Sequence, residues 1–388
     1  MGANRRERTK KIRQKIRNPG AGAVDNSKRI TILRSVIDGS LEAVPCDLCG
    51  RDEAAPLVTK NNFRVVRCRN CDLVYVNPRP RPNALASLYD ASSYQEHQAK
   101  RAEQTEADTD WRRTAQARLT LLDEVQPGRG NLLDVGCSTG AFLTIARERG
   151  WQVRGLDVSA GSVAKARERG LDVCLATLEN HPLPPGMFQV ITMLDSIEHM
   201  PSPLTALRAV HDLLAPGGVV VLTTPNVEGL VPRATWQVFG RTVGAWEHPT
   251  PPGHIYQFGR TTLRAALRLV GFEVAHETTE AIPLDHTVGE LEGELVEALK
   301  GRGARPKAEL PGSESKPPAR LPRTARAKGE ALQLSRRVVR QAVRAGAWAF
   351  IGSMASLAAL TGSGDSLIVI ARKPRQDRLM QRTSVTGH

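Results

Sequence analysis

The stretch Asn131–Ser159, NLLDVGCSTGAFLTIARERGWQVRGLDVS, decides how the chain is read. It opens with a short apolar run, NLLDVG. A Gly/Ser turn follows, then AFLTIARERG at helical spacing, closed by Gly150, then a second apolar run, QVRGLDVS. Strand, tight turn, helix and strand make one unit of a parallel sheet. The turn DVGCSTG places Gly136 and Gly140 where backbone can approach a ligand closely, since glycine has no Cβ. The helix that follows points its unpaired N–H groups at the same place. Asp157 ends the second strand about twenty residues on, where a carboxylate can accept both hydroxyls of a ribose. The dinucleotide pattern G-x-G-x-x-G fails, because Ser138 and Ala141 stand where it needs glycine.

The alternation continues outward. LDVCLAT, FQVITMLDSIEH and VVVLTTPN read as further strands, and AGSVAKARERG and PLTALRAVHDLLAPGG as the helices between them. TTLRAALRLVG is a further helix, and FEVAHETT and DSLIVIARKP are the last two strands. The spacing predicts an α/β fold with helices on both faces of a mainly parallel sheet.

Residues 131–224 resemble the class I S-adenosylmethionine (SAM)-dependent methyltransferases. LLDVGCSTGAFL is similar to their first motif, GLDVS to the second, FQVITMLDSIEHM to the fourth strand, and LLAPGGVVVLTTPN to the turn into the fifth. The resemblance implies a Rossmann-like seven-stranded sheet spanning 83–278, with DSLIVIARKP as its last, antiparallel strand. It implies that Gly136, Ser138 and Gly140 line the methionine end of SAM, with Asp134 also among the cofactor-binding residues. Asp157 would then hold the ribose, Val158 and Leu178 would flank the adenine, and Leu194 would offer backbone to the amino-acid moiety. Ser138 departs from the family's middle glycine.

Ahead of this lie Cys46-x2-Cys49 and Cys68-x2-Cys71, eighteen residues apart. That spacing signals a tetrahedral Zn²⁺ site with no open position, hence a structural one. Residues 40–82 read as a zinc ribbon. Its continuation, CDLVYVNPRPRPNALASLYDASSY, resembles a branch of these methyltransferases that modifies small molecules, sugars or surface glycans and lipids. The ribbon is expected to build a wall or lid beside the substrate cleft.

Candidate chemistry lies in two places. DSIEHM supplies Asp195, Glu198 and His199, and WEHPTPPGHIYQF supplies Glu247, His248, His254 and Tyr256. Glu198, His199 and His254 are the expected catalytic residues, as bases toward an acceptor hydroxyl. In the ubiquinone-type O-methyltransferases that this segment resembles, the acidic-His cluster is associated with a divalent metal. Asp195, Glu198 and His199 are read on that basis as its ligands, against the alternative that they only cap and orient a loop. Trp236 and Trp246 either stack on a sugar or aromatic ring or anchor the loop.

The net charge of +14 is uneven. Residues 1–34 hold eleven Lys/Arg against two acids, and residues 300–388 hold eighteen against five, so the middle is acidic. An acidic core argues against a grip on nucleic acid. The alternatives are an RNA methyltransferase that uses ribbon and basic tails, and a SAM- and zinc-binding scaffold without turnover. Residues 1–39 read as a basic disordered tail, 279–330 as an insertion with a basic linker, and 375–388 as a polar tail. Residues 331–374 read as a helix and the last strand. Within it, 331–360 places four arginines before an apolar run, suiting peripheral contact with a membrane. With no apolar leader and cysteines spaced for metal, the chain reads as cytoplasmic, and as membrane-peripheral if that contact forms.

Overall fold

The computed structural model describes residues 40–85, 109–282, 284–301 and 323–375. Four regions singled out in the sequence lie outside the described residues: the basic N-terminal tail, the tyrosine-rich segment at 86–108, the linker core at 302–322 and the C-terminal tail.

The chain begins with a small antiparallel module. β1 (Leu41–Glu42) pairs with β5 (Arg79–Pro80), while β2 (Ala54–Lys60), β3 (Phe63–Cys68) and β4 (Val74–Val76) form a meander. Lys60 faces Phe63 across a two-residue turn, and Asn61 and Asn62 there sit at φ 51° and 67°. Two left-handed residues match the twist of a hairpin, and Asn tolerates that conformation better than most side chains.

α1 (Thr109–Val125) leads to β6 (Asn131–Val135), α2 (Ala141–Glu148), β7 (Gln152–Asp157), α3 (Ala160–Glu168) and β8 (Val173–Leu175). Then come β9 (Phe188–Leu194), α4 (Pro203–Leu213) and β10 (Leu214–Pro225). The stretch read as a long loop is partly helical: α5 (Leu230–Thr235), a π-turn (Trp236–Gly240) and α6 (Arg241–Val243). β11 (Tyr256–Gln257), α7 (Arg260–Val270), β12 (Glu273–Glu280), α8 (Leu284–Gly301), α9 (Arg323–Thr361) and β13 (Ser366–Arg372) complete the chain.

Seven strands form one sheet in the order β12-β13-β10-β9-β6-β7-β8. β8, β7, β6, β9 and β10 run parallel, and β13 is antiparallel to both its neighbours. The expected sheet and its reversed last strand are therefore present. Val190, Ile191, Thr192 and Met193 on β9 are all buried, as a strand covered on both faces requires. One face carries α1, α2 and α3 through Leu119, Leu122, Phe142, Ile145 and Val163. The other carries α4 and α7 through Leu207, Val210, Leu263 and Leu267.

A long excursion separates β12 from β13. It contains α8, which packs with α9 and α5 around Val231, Val288, Leu291, Ala347 and Ile351. Gly289 and Gly293 interrupt α8 and disguise the helical spacing of Leu284, Val288, Leu291 and Leu295. Within α9, Gln341–Thr361 is long and apolar enough to cross a membrane by length and composition, and little of it is buried. Its outer face carries Leu357 and Leu360, the latter 85% exposed.

Candidate active site

The glycine turn sits at the carboxyl end of β6. Gly136 and Gly140 both have positive φ, 76° and 80°. A Cβ on Gly140 would stand 2.2 Å from Leu171 Cδ1, so the turn needs glycine for space as well as for conformation. Ser138, the residue departing from the family pattern, also takes the left-handed region, at φ 51°. A side chain there costs about 1–2 kcal/mol. Part of that is offset locally, because the Ser138 N–H donates to Asp157 Oδ2 at 2.8 Å. The Ser159 N–H donates to Oδ1 at 2.8 Å. Asp157 thus faces the turn from the end of β7, with burial pushing its pKa up.

Asp134 lies beneath the turn and accepts from Thr192 Oγ1 at 2.7 Å. Val158 is 41% exposed at the end of β7, Leu194 is half-buried at the end of β9, and Leu178 is buried in the core. The turn, Asp157 and Val158 therefore line one open edge.

The second group begins where the first ends. A Cβ on Gly136 would lie 3.1 Å from Ser196 Cβ, and Glu198 and His199 follow in a short 3-10 turn, Ile197–His199. Glu198 is fully buried; its Oε2 accepts from Thr224 Oγ1 at 3.0 Å, while Oε1 has no hydrogen-bond partner among the described residues. His199 Nδ1 lies 2.8 Å from the Gly253 carbonyl. A carbonyl only accepts, so Nδ1 carries the hydrogen and Nε2 presents a lone pair. That Nε2 is 4.0 Å from Glu198 Oε1. The His254 ring meets His199 edge-on, with centroids 4.7 Å apart. One ligand atom each from Glu198, His199 and His254 lies within 4.8 Å of the others. Asp195 stays outside this trio, its Oδ1 accepting from Thr223 Oγ1 at 3.0 Å. The expected set Asp195, Glu198, His199 is thus rearranged, with His254 in place of Asp195. Burial pushes Glu198 up to about 8, and Asp195 adds to the rise.

The cysteine module forms one wall. Cys46 Sγ lies 3.4 Å from Cys71 Sγ and Cys49 Sγ 3.5 Å from Cys68 Sγ, and all four sulfurs fall within 4.8 Å of one another. Sulfurs about 2.3 Å from a tetrahedral ion lie roughly 3.8 Å apart, so the set fits such an ion. Gly50 and Asp72, one residue after each knuckle, have φ 71° and 62° and return their N–H groups to the Cys46 and Cys68 carbonyls. Burial pushes Cys46 up to about 11 and Cys71 higher still, which a cation would reverse.

The module is built into the site. β11 adds as a strand to β4, with Tyr256 opposite Tyr75. The Val76 N–H donates to the Ile255 carbonyl, and the Ile255 N–H donates to the Glu198 carbonyl, both at 2.9 Å. Arg79 reaches Tyr256 Oη at 3.0 Å and the Pro201 carbonyl. Asp47, inside the first knuckle, accepts from Ser202 Oγ at 2.7 Å and from Leu204 N at 2.9 Å, capping α4. Thr224, Gly253 and Arg79 position the site residues yet escaped the sequence reading. Their roles arise from contacts 26 or more residues distant, with no local signal.

Buried ionisable groups make stability depend on pH. Burial pushes Asp134 and Glu247 up to about 7 each. A carboxyl whose folded pKa is raised favours the folded state at low pH and loses that contribution as pH rises through the folded value. His248 is pushed down to about 3 by burial, then by Lys60, and so opposes the trend below its unfolded value. From pH 8 to 6 the two carboxyls gain about 3 kcal/mol and His248 loses about 1 kcal/mol. The SAM-free protein should therefore melt at a higher temperature at pH 6 than at pH 8, and Asp134→Asn should flatten the slope. A melting temperature that falls from pH 8 to 6 would contradict this.

A family model described as a methyltransferase domain matches residues 83–277. The ubiquinone biosynthesis O-methyltransferase of Pseudomonas paraeruginosa is 37% identical over 102 residues, which is 24% of this chain and 44% of that protein. That of Sodalis glossinidius is 39% identical over 103 residues, 25% of this chain and 41% of that protein. The chain thus spans less than half the length of these curated relatives. Among solved structures, phosphoethanolamine N-methyltransferase 2 of Haemonchus contortus in complex with SAM is 16% identical, with a TM-score of 0.43, covering 78% of this chain and 63% of that one. The [4+2]-cyclase SpnF is 25% identical, with a TM-score of 0.37, covering 66% and 81%. The matched span takes in the glycine turn, Asp157, Glu198, His199 and His254, and is half of the chain. The chain belongs to the methyltransferase domain family.

Proposed function

We propose that the protein transfers the methyl group of SAM to an oxygen or nitrogen of a small molecule, sugar, or glycan or lipid precursor. The observation that carries this is the convergence of Glu198, His199 and His254 beside the glycine turn. SAM supplies an electrophilic methyl on a sulfonium, and the acceptor must lose a proton as the new bond forms. Gly136, Ser138, Gly140 and Asp157 would hold SAM, leaving its methyl to face the trio. His199, oriented by the contact of its Nδ1 with the Gly253 carbonyl, would take the acceptor proton. The same trio fits a divalent cation, which would polarise the acceptor oxygen. The four cysteines would hold Zn²⁺ as a structural ion.

The exposed apolar face of Gln341–Thr361, next to a basic stretch, suits contact with an anionic membrane from the cytoplasmic side. At low salt the protein should then sediment with anionic vesicles and not with neutral ones; equal behaviour with both would rule the contact out.

The direct test is methyl-labelled SAM with an extract of the source cells, separated into lipid, glycan, small-polar, RNA and protein fractions. Label in lipid, glycan or small molecules is expected. Label in RNA alone would overturn the substrate reading, and failure to bind SAM would overturn methyl transfer.

A further inference from the structure

The β2–β3 pair runs from the cysteines at one end to a lysine at the other. Cys68 opposes Ala54, and Lys60 opposes Phe63 at the hairpin tip, about 20 Å along the strand. Lys60 is buried there, with 5% of its side chain exposed. Its Nζ lies 3.1 Å from Glu294 Oε1 on α8. It also donates to the Trp246 carbonyl at 3.1 Å and to the Glu247 carbonyl at 3.5 Å. An ammonium has three donors, and these oxygens are three acceptors. Asn61, next in the hairpin, donates from Nδ2 to the Pro251 carbonyl at 2.8 Å.

The loop so held is the one that brings His254 to the trio. From Pro251 the chain runs two residues to Gly253, whose carbonyl meets His199 Nδ1 at 2.8 Å. His254 follows, and its N–H donates to the Thr250 carbonyl at 3.2 Å. On its other side the loop is tied to α5: Trp246 Nε1 donates to the Pro232 carbonyl at 2.9 Å, and Thr235 Oγ1 to Glu247 Oε1 at 2.8 Å. The hairpin tip therefore meets three main-chain carbonyls of the loop, while α5 holds its side chains.

Stability alone is a weak reason for such a pair. Burying an ammonium is costly, and an apolar pair of the same volume is often as stable or more so. What the charge supplies is geometry, since an apolar side chain can fill the space but cannot hold two carbonyls. Glu294 aims the ammonium from α8, which is itself packed with α5 and α9 around Val288 and Leu291. The excursion between β12 and β13 places no residue in the glycine turn or the trio, yet it reaches the loop through this contact.

We propose that Lys60 is a positioning residue for methyl transfer. Aimed by Glu294, it holds the Trp246 and Glu247 carbonyls and so sets the loop that presents Gly253 and His254 to His199. Its effect on methyl transfer rests on the roles proposed above for His199 and His254; its effect on the loop does not.

The test uses two forms of the full-length zinc-loaded protein. One carries Lys60→Met and Glu294→Gln together, which removes both charges. The other carries Lys60→Arg, which keeps the charge in a planar fork that cannot direct three donors to these oxygens. The double variant should melt within a few degrees of the parent, since no buried charge is left alone. It should keep its zinc and bind SAM within about twofold of the parent. Its His254 amide should exchange about tenfold faster. The imidazole proton resonances of His199 and His254, whose rings meet edge-on, should shift. Transfer from methyl-labelled SAM to an extract of the source cells should slow by about tenfold or more. Lys60→Arg should show the same changes to a smaller degree, and it carries the test if the double variant does not fold. Parent-like exchange and ring resonances in both variants would overturn the proposal, as would a moved loop with transfer within about threefold of the parent. Joint loss of melting temperature, zinc and SAM binding in both variants would also overturn it and leave Lys60 a structural ion pair. A parent that transfers no label would sink the methyl-transfer reading, while exchange and resonances would still decide whether Lys60 sets the loop.

Discussion

Replacing Cys46 and Cys68 together with serine is expected to release one metal ion per chain and to loosen the loop that carries His254. Structural zinc in small modules contributes roughly 10 kcal/mol or more at neutral pH, as much as the whole stability of many domains. The buried side chains of the module, among them Leu48, Phe63, Leu73 and Tyr75, belong to the same core cluster as one face of the sheet, so the module has little core of its own. Its loss would propagate along a defined chain of contacts. Val76 holds the Ile255 carbonyl, Ile255 holds the Glu198 carbonyl, and Arg79 holds Tyr256. The Ile255 and Val76 amides should lose hydrogen-exchange protection, and methyl transfer should fall by at least about a hundredfold, as expected when reacting groups are misplaced by an ångström. SAM affinity should change little, because Gly136, Gly140 and Asp157 are held by β6, β7 and Leu171 and not by the module. Zinc loss with unchanged exchange at Ile255 would show that the module folds independently of the site. Loss of RNA binding alone would return it to nucleic-acid recognition.

The contrast between module and sheet explains what the sequence made legible. The sheet was readable because its signals are local: an apolar run, a glycine turn and a helix recur within thirty residues, and Asp157 falls at a fixed distance from Gly136. The clustering of the four cysteines was readable for the same reason, since each pair lies on one turn. Glu198, His199 and His254 were each singled out in the sequence, but their meeting was not. Glu198 and His199 lie together in DSIEHM, but His254 joins them only because β11 pairs with β4, and no local pattern announces a two-residue strand. Asp195 looked equivalent to its neighbours in the sequence. In the fold its Oδ1 accepts from Thr223 Oγ1, and it lies outside the trio.

Glu198→Gln should separate chemistry from architecture. The amide has the shape of the acid and can still accept from Thr224 Oγ1, so α4, the 3-10 turn and the Ile255 contact should survive. What it loses is the capacity of Oε1 to carry a proton or a negative charge beside His199 Nε2 and His254. A general acid–base group contributes typically 10²–10⁴-fold, and kcat should fall by about that factor. If the trio holds a divalent cation, the variant should also lose it, and chelation of the parent should reproduce the defect without removing the cysteine-bound ion. The dissociation constant for SAM should move by less than about threefold, since the residues proposed to hold the cofactor follow β6 and β7. Melting should not drop, because a fully buried carboxyl with one unpaired oxygen costs stability in the resting protein. A fall in kcat with intact SAM binding and intact melting would place Glu198 at the reacting centre. A kcat within about fivefold of the parent, below the range of acid–base catalysis, would reduce Glu198 to a loop-orienting group and shift the chemistry to His199 and His254 alone.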